Sequence, residues 1–235
     1  MTQQAKVGQP LPNVTVKTLD NQTVQLGQQD SANWQLVVVY RGLHCPICKT
    51  YLSQIEEMKS EFDEMNVDVL AISTDPEVKA KKFRDDNGLS MTIGYDLSIS
   101  DARALGLFIS DPLSSAETDQ PFAEPGTYLI RPDRKLHIMD VSNAPFSRPD
   151  LKMLKSGIAF VQKKDYPIRG AAARVIASTS GGVDQGLQRS SAHLDSGITF
   201  RRAEWWVSHE SGSILGLLAR SDLSLSTAQT TRQTT

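Results

Sequence analysis

The stretch Trp34-Gln-Leu-Val-Val-Val-Tyr40-Arg-Gly-Leu-His-Cys45-Pro-Ile-Cys48 decides the fold. Its first seven residues are almost continuously apolar, with three successive valines, as in a strand buried on both faces of a parallel sheet. The spacing then changes. Tyr51, Leu52, Ile55, Met58 and Phe62 recur at helical intervals, while Glu56, Glu57, Lys59 and Glu61 fall on the opposite side, so a helix is expected from about Pro46 to Met65. Val67-Asp-Val-Leu-Ala-Ile-Ser73 reads as a second buried strand. Asp75-Pro76 is expected to open another helix, with Asp as its cap and Pro at the first helical position. Strand, helix, strand, helix implies a crossover and a parallel sheet core.

Working outward, Thr127-Tyr-Leu-Ile130 and Leu136-His-Ile-Met-Asp-Val141 flank the turn Arg131-Pro-Asp-Arg134 and read as antiparallel neighbours. Ser147 is the expected cap of a final helix with Leu151, Leu154, Ile158 and Val161 on one face. The expected class is α/β, a mixed central sheet flanked by helices.

The whole chain has 235 residues and a formal net charge of −2. Such a balance argues against a broad nucleic-acid or membrane-surface footprint. No apolar run approaches the roughly 20 residues of a membrane span, and the first residues lack the apolar core of a secretory signal. A soluble, cytoplasmic protein is expected.

Charge is uneven along the chain. Residues 1–170 hold 12 Lys, 7 Arg and 22 acids; residues 171–235 hold 6 Arg, 5 acids and no Lys, and 18 of them are Ser or Thr. We therefore expect one folded domain over 1–170 and a low-complexity tail over 171–235. Three readings of the tail stand side by side: a docking segment anchored by Trp205-Trp206 and Ile214-Leu-Gly-Leu-Leu218, disorder, or an extension in a non-native reading frame.

Cys45 and Cys48 are the only cysteines, and they sit where strand gives way to helix. The thiolate is the reactive form of cysteine, and a helix N-terminus favours it through free N–H groups and the positive end of the dipole. Cys45 falls at the cap, the natural attacking thiol, and Cys48 lies one turn inside, the natural resolving thiol. Zinc would need further N or S ligands, for which the chain offers His44 and His137 but no third cysteine. The pair could also be inert core cysteines or a structural disulfide. The intervening Pro46 and the strand-to-helix setting favour redox chemistry.

Three segments resemble one family. Tyr40-Arg-Gly-Leu-His-Cys-Pro-Ile-Cys48 is similar to the active-site stretch of the thioredoxin superfamily. Val7-Gly-Gln-Pro-Leu-Pro-Asn-Val-Thr-Val-Lys-Thr-Leu-Asp20 resembles the N-terminal hairpin of peroxiredoxins of the alkyl hydroperoxide reductase and thiol-specific antioxidant (AhpC/TSA) group. Pro125-Gly-Thr-Tyr-Leu-Ile-Arg-Pro-Asp-Arg-Lys-Leu136 resembles the proline–strand–turn–strand stretch of the same proteins. The resemblance implies a thioredoxin-like three-layer fold with an N-terminal β-hairpin. It also implies thiol chemistry without a prosthetic cofactor, and an external thiol reductant of thioredoxin or glutathione type. It further implies a cis Glu124–Pro125 bond facing Cys45.

The departures are equally informative. Family members typically carry Thr or Ser three residues before the peroxide-reacting cysteine and Pro four residues earlier; here those positions are Gly42 and Val38. Where they carry an Arg before the strand matched by Thr127–Ile130, this chain has Pro125. Loss of one such preorganised donor typically costs roughly 10²–10³-fold in rate. Arg41 is a candidate replacement charge or a solvated strand end; His44 a candidate to tune the thiol; Thr127 a candidate hydrogen-bonding neighbour or strand filler.

Two mechanisms use these residues. In one, Cys45 attacks a hydroperoxide and Cys48 resolves the sulfenic acid as a disulfide; in the other, Cys45 attacks a protein or small-molecule disulfide. Peroxide leads by a small margin. A redox sensor or binding module without turnover is a reading of a different class.

Overall fold

The computed structural model describes residues 4–28 and 32–172. These belong to one compact unit, Met1–Ala177. The three readings of the tail fall on residues 173–235, outside the described residues.

Fourteen elements follow in order: β1 (Thr15–Thr18), β2 (Thr23–Gln25), β3 (Trp34–Val39), α1 (Pro46–Glu57), α2 (Lys59–Glu64), β4 (Val67–Ile72), α3 (Glu77–Asp86), β5 (Thr92–Tyr95), α4 (Ile99–Ala104), β6 (Ile109–Ser110), β7 (Phe122–Ala123), β8 (Gly126–Ile130), β9 (Leu136–Val141) and α5 (Leu151–Lys164). Seven strands form one sheet in the order β2-β1-β5-β4-β3-β8-β9, and β6 and β7 pair separately. β3 and β4 run parallel, pairing Trp34 with Val67 through Val39 with Ile72. β8 lies antiparallel on the other side of β3, with Val39 opposite Gly126. β1 and β2 form the N-terminal hairpin, and β8 and β9 the second one.

The central strand is buried on both faces, as its unbroken apolar run requires. Leu36, Val38 and Tyr40 enter a core shared with Leu52 and Ile55 of α1, Phe62 of α2, Phe83 of α3 and Leu154 and Ile158 of α5. Val37 and Val39 point the other way, into a core with Ala102 of α4, Leu105, Tyr128 and Val14. The sheet is thus the middle of three layers.

Four local expectations change. The long helix over 46–65 is two helices: Met58, at φ −95° and ψ 2°, ends α1 and begins α2, its N–H shared between the carbonyls of Gln54 and Ile55. Phe62 of α2 is fully buried in the core. Asp75 does not cap α3. Pro76 occupies the cap position without a side-chain bond, because the Asp75 carboxylate is engaged elsewhere. Asp150, not Ser147, caps α5 and accepts a bond from the Met153 N–H at 2.8 Å. Ser147 lies three residues too early, in a turn where its N–H bonds the Ala144 carbonyl. Finally, no described peptide bond is cis. The Glu124–Pro125 bond is trans, the form most X–Pro bonds adopt.

Candidate active site: a buried disulfide at a helix N-terminus

β3 delivers the chain to the first turn of α1, and the site is built at that junction. Cys45 is the N-cap, with extended backbone angles, and its sulfur accepts the Cys48 N–H at 3.2 Å. Pro46 stands at the first helical position, where the N–H it lacks has no intrahelical partner in any case. Cys45 and Cys48 are joined as a disulfide, their Cα atoms 5.3 Å apart. Neither is more than 1% exposed. The two cysteines therefore meet as their spacing requires, and Cys45 sits in the positive field of the helix terminus.

The turn before the cap depends on Gly42. Its φ of +130° is rarely open to residues with a Cβ, and a Cβ there would lie 2.6 Å from an oxygen of Asp75. That closeness has a purpose: Asp75 Oδ2 accepts the Leu43 N–H at 2.6 Å. Asp75 is buried in the connection between β4 and α3, and burial raises its carboxyl above the usual range, opposed by the Leu43 bond and by Lys79. A carboxylate thus fills the space beside position 42.

The other expected residues occupy distinct places. Arg41 forms ion pairs with Glu117 at 3.2 Å and Glu124 at 3.3 Å, and its guanidinium lies 4.6 Å over the Phe122 ring. The contact with Glu124 is ionic and not a well-aligned hydrogen bond. Its charge is committed to these carboxylates. The His44 ring packs against Phe122 with centroids 4.7 Å apart, and neither ring nitrogen has a hydrogen-bond partner, a sulfur included. Burial, reinforced by Arg41, lowers its pKa and favours the neutral ring. Thr127 is buried on β8 beside the Tyr51 phenol. Pro125 leads into β8, and its carbonyl accepts the Ser142 N–H at 3.0 Å.

Sequence reasoning missed one basic residue. Arg148, in the segment before α5, places Nη2 2.9 Å from the Cys48 sulfur. Its guanidinium also lies 4.9 Å over the Tyr51 ring, and the Tyr51 hydroxyl donates to the Pro149 carbonyl. Nε and Nη1 of Arg148 are buried without partners. Burial pushes the pKa of this group down to about 10, still well above neutrality, so the guanidinium remains charged. The only signal in the sequence was an arginine in the turn-forming run Pro145-Phe-Ser-Arg-Pro-Asp150, 100 residues from the cysteine it touches.

No group of three His, Cys, Asp or Glu that could hold a metal occurs among the described residues, and none of their helices is long and apolar enough to cross a membrane.

The model of the AhpC/TSA family matches residues 7–139, more than half of the chain. The chain belongs to the AhpC/TSA family. The thiol-disulfide oxidoreductase ResA of Halalkalibacterium halodurans is 24% identical over 104 residues, covering 44% of this chain and 58% of that protein. The match thus spans little more than half the length of this curated relative.

Among solved structures, peroxiredoxin 6 of Arenicola marina superimposes with a TM-score of 0.58 at 17% identity, covering 68% of this chain and 75% of that one. The reduced 2-Cys peroxiredoxin of Plasmodium vivax gives 0.57 at 19% identity, covering 68% of this chain and 99% of that one. AhpC of Mycobacterium tuberculosis gives 0.55 at 15% identity, with the same coverage of 68% and 99%. At these identities the likeness is one of fold: the AhpC/TSA chain has the thioredoxin-like architecture of the peroxiredoxins.

Proposed function

We propose that this AhpC/TSA protein is a thiol-dependent antioxidant oxidoreductase that reduces hydroperoxides through Cys45 and Cys48. The observation that carries this reading is the pairing of a disulfide at the α1 N-terminus with Arg148, whose Nη2 touches the Cys48 sulfur while Nε and Nη1 remain buried and unbonded. Buried guanidinium donors without partners are costly, and an anionic oxygen or sulfur arising beside them would use them.

The Cys45 thiolate attacks one peroxide oxygen; the O–O bond breaks, Cys45 becomes a sulfenic acid and the leaving alkoxide or hydroxide takes a proton. Cys48 then attacks the Cys45 sulfur, water leaves, and the disulfide forms. Arg148 favours the Cys48 thiolate for this second step. An external thiol donor, of thioredoxin or glutathione type, returns two electrons. A reducing compartment such as the cytoplasm would supply them.

One observation favours a second reading, exchange with a protein or small-molecule disulfide. The Asp75 carboxylate fills the space beside Gly42, where peroxide-reducing relatives carry a hydroxyl donor. Stopped-flow mixing of the reduced protein with hydrogen peroxide and, separately, with an oxidised dithiol discriminates the two. We expect thiol loss with peroxide well above that of free cysteine. A peroxide rate no faster than free cysteine, with rapid oxidation by the dithiol disulfide, overturns the first reading in favour of the second. Cys45→Ser should abolish both reactions, and Cys48→Ser should leave a sulfenic acid or a mixed disulfide on Cys45.

A further inference from the structure

A cavity of about 270 Å³ lies against the peptide that carries Cys45, with Leu43 and His44 in its wall. Asp75, Lys79, Glu117 and Asp119 supply its charge. Most of that charge is already matched. Lys79 Nζ bonds the Thr118 hydroxyl at 3.3 Å and pairs with Asp119. Glu117 pairs with Arg41 at 3.2 Å and accepts the Leu113 N–H at 2.8 Å.

Two groups have capacity to spare. Asp75 is 2% exposed, and its one hydrogen-bonded oxygen, Oδ2, serves Leu43, which leaves Oδ1 without a described protein donor. His44 has both ring nitrogens unbonded. A carboxylate oxygen and a neutral imidazole both accept, and with Glu117 paired to Arg41 and Asp119 to Lys79, Asp75 is the one carboxylate of the wall without an ion pair. A ligand with several N–H donors and a positive charge complements it; an anion would meet uncompensated repulsion.

We propose that this cavity receives the ammonium group of a low-molecular-weight aminothiol, the reductant that returns the Cys45–Cys48 disulfide to the dithiol. The inference rests on the redox reading of that pair. Leu43 and His44 immediately precede Cys45 in the chain, while neither cysteine lines the cavity, so a thiol on a short aliphatic arm held between Asp75 and His44 has to pass the Cys45 peptide to reach the disulfide. The first aminothiol thiolate attacks the Cys45 sulfur, forming a mixed disulfide and releasing the Cys48 thiolate beside Arg148. A second aminothiol thiolate attacks the sulfur of the bound one. Its symmetrical disulfide leaves, and the two thiol protons end on Cys45 and Cys48.

The test uses the full chain, oxidised beforehand, and follows reduction by cysteamine and by 2-mercaptoethanol in the wild type and in Asp75→Asn. Asn retains an acceptor for Leu43 and removes the charge, and each thiol is compared with itself, so intrinsic reactivities cancel. We expect cysteamine reduction to slow about tenfold, the worth of one charge-assisted hydrogen bond, with 2-mercaptoethanol changed less than about twofold. Equal slowing of both thiols, or of neither, overturns the proposal. Should the variant not fold, ethanolamine is added to the wild type: inhibition of cysteamine alone supports the cavity, and absence of inhibition overturns it. The peroxide rate of the reduced wild type is read separately. Its absence alongside an intact amine preference refutes the peroxidase reading and not the cavity.

Discussion

Replacing Gly42 by Ala tests the link between backbone geometry and the redox loop. The added Cβ has two consequences. At φ +130° it strains the backbone, a penalty of about 1–3 kcal/mol for residues held in such regions. It also meets Asp75 Oδ2 at 2.6 Å, displacing the carboxylate from the Leu43 N–H. A hydrogen bond to a charged group is worth about 1.5–3 kcal/mol. The two effects together should lower stability by about 2.5–6 kcal/mol, a large part of the roughly 5–15 kcal/mol available to a domain. Urea denaturation of the oxidised protein, followed by far-ultraviolet circular dichroism, measures it. Asp75→Ala removes the clash, so the double variant should be more stable than the sum of the single losses predicts, by at least about 1 kcal/mol. A loss below about 1 kcal/mol for Gly42→Ala, or strict additivity, would refute the reasoning.

Three further predictions concern other groups. Arg148→Met should slow disulfide closure about tenfold or more through loss of the guanidinium beside the Cys48 sulfur; quenched-flow detection of the sulfenic acid separates this step from the first reaction of Cys45. His44 and His137 both have pKa values lowered chiefly by burial. Above their unfolded value of 6.5 neither state binds the proton, and below it the unfolded chain binds more, so stability should fall as pH drops below 6.5 until the lowered folded-state values are passed. His44→Gln with His137→Gln should flatten that part of the profile, and an unchanged slope contradicts the assignment. Asp150→Ala should cost about 1 kcal/mol in the same denaturation assay through loss of the α5 cap, whereas Ser147→Ala should cost less than about 0.5 kcal/mol.

Much of this architecture was legible because it is local. Three successive valines marked β3 as buried on both faces, and the Cys45-to-Cys48 spacing at a strand end anticipated that the two sulfurs meet. What escaped depends on groups far apart in sequence. Asp75 had the residue type and position of a helix cap, but its carboxylate went to Leu43, 32 residues away. Arg148 reaches Cys48 across 100 residues. The helix break at Met58 has no Gly or Pro to announce it. Arg41, adjacent to the site in sequence, was instead drawn off by Glu117 and Glu124.

The burial of both cysteines has a kinetic consequence. On the proposed function, a pair with at most 1% exposure requires the first turn of α1 to open before a folded protein donor reaches the sulfurs, a requirement that a small thiol meets with a smaller opening. The proposed centre would therefore sort its partners by size before chemistry begins. With a protein donor, the observed rate should level off at the opening rate as donor concentration rises; with a small thiol it should keep climbing.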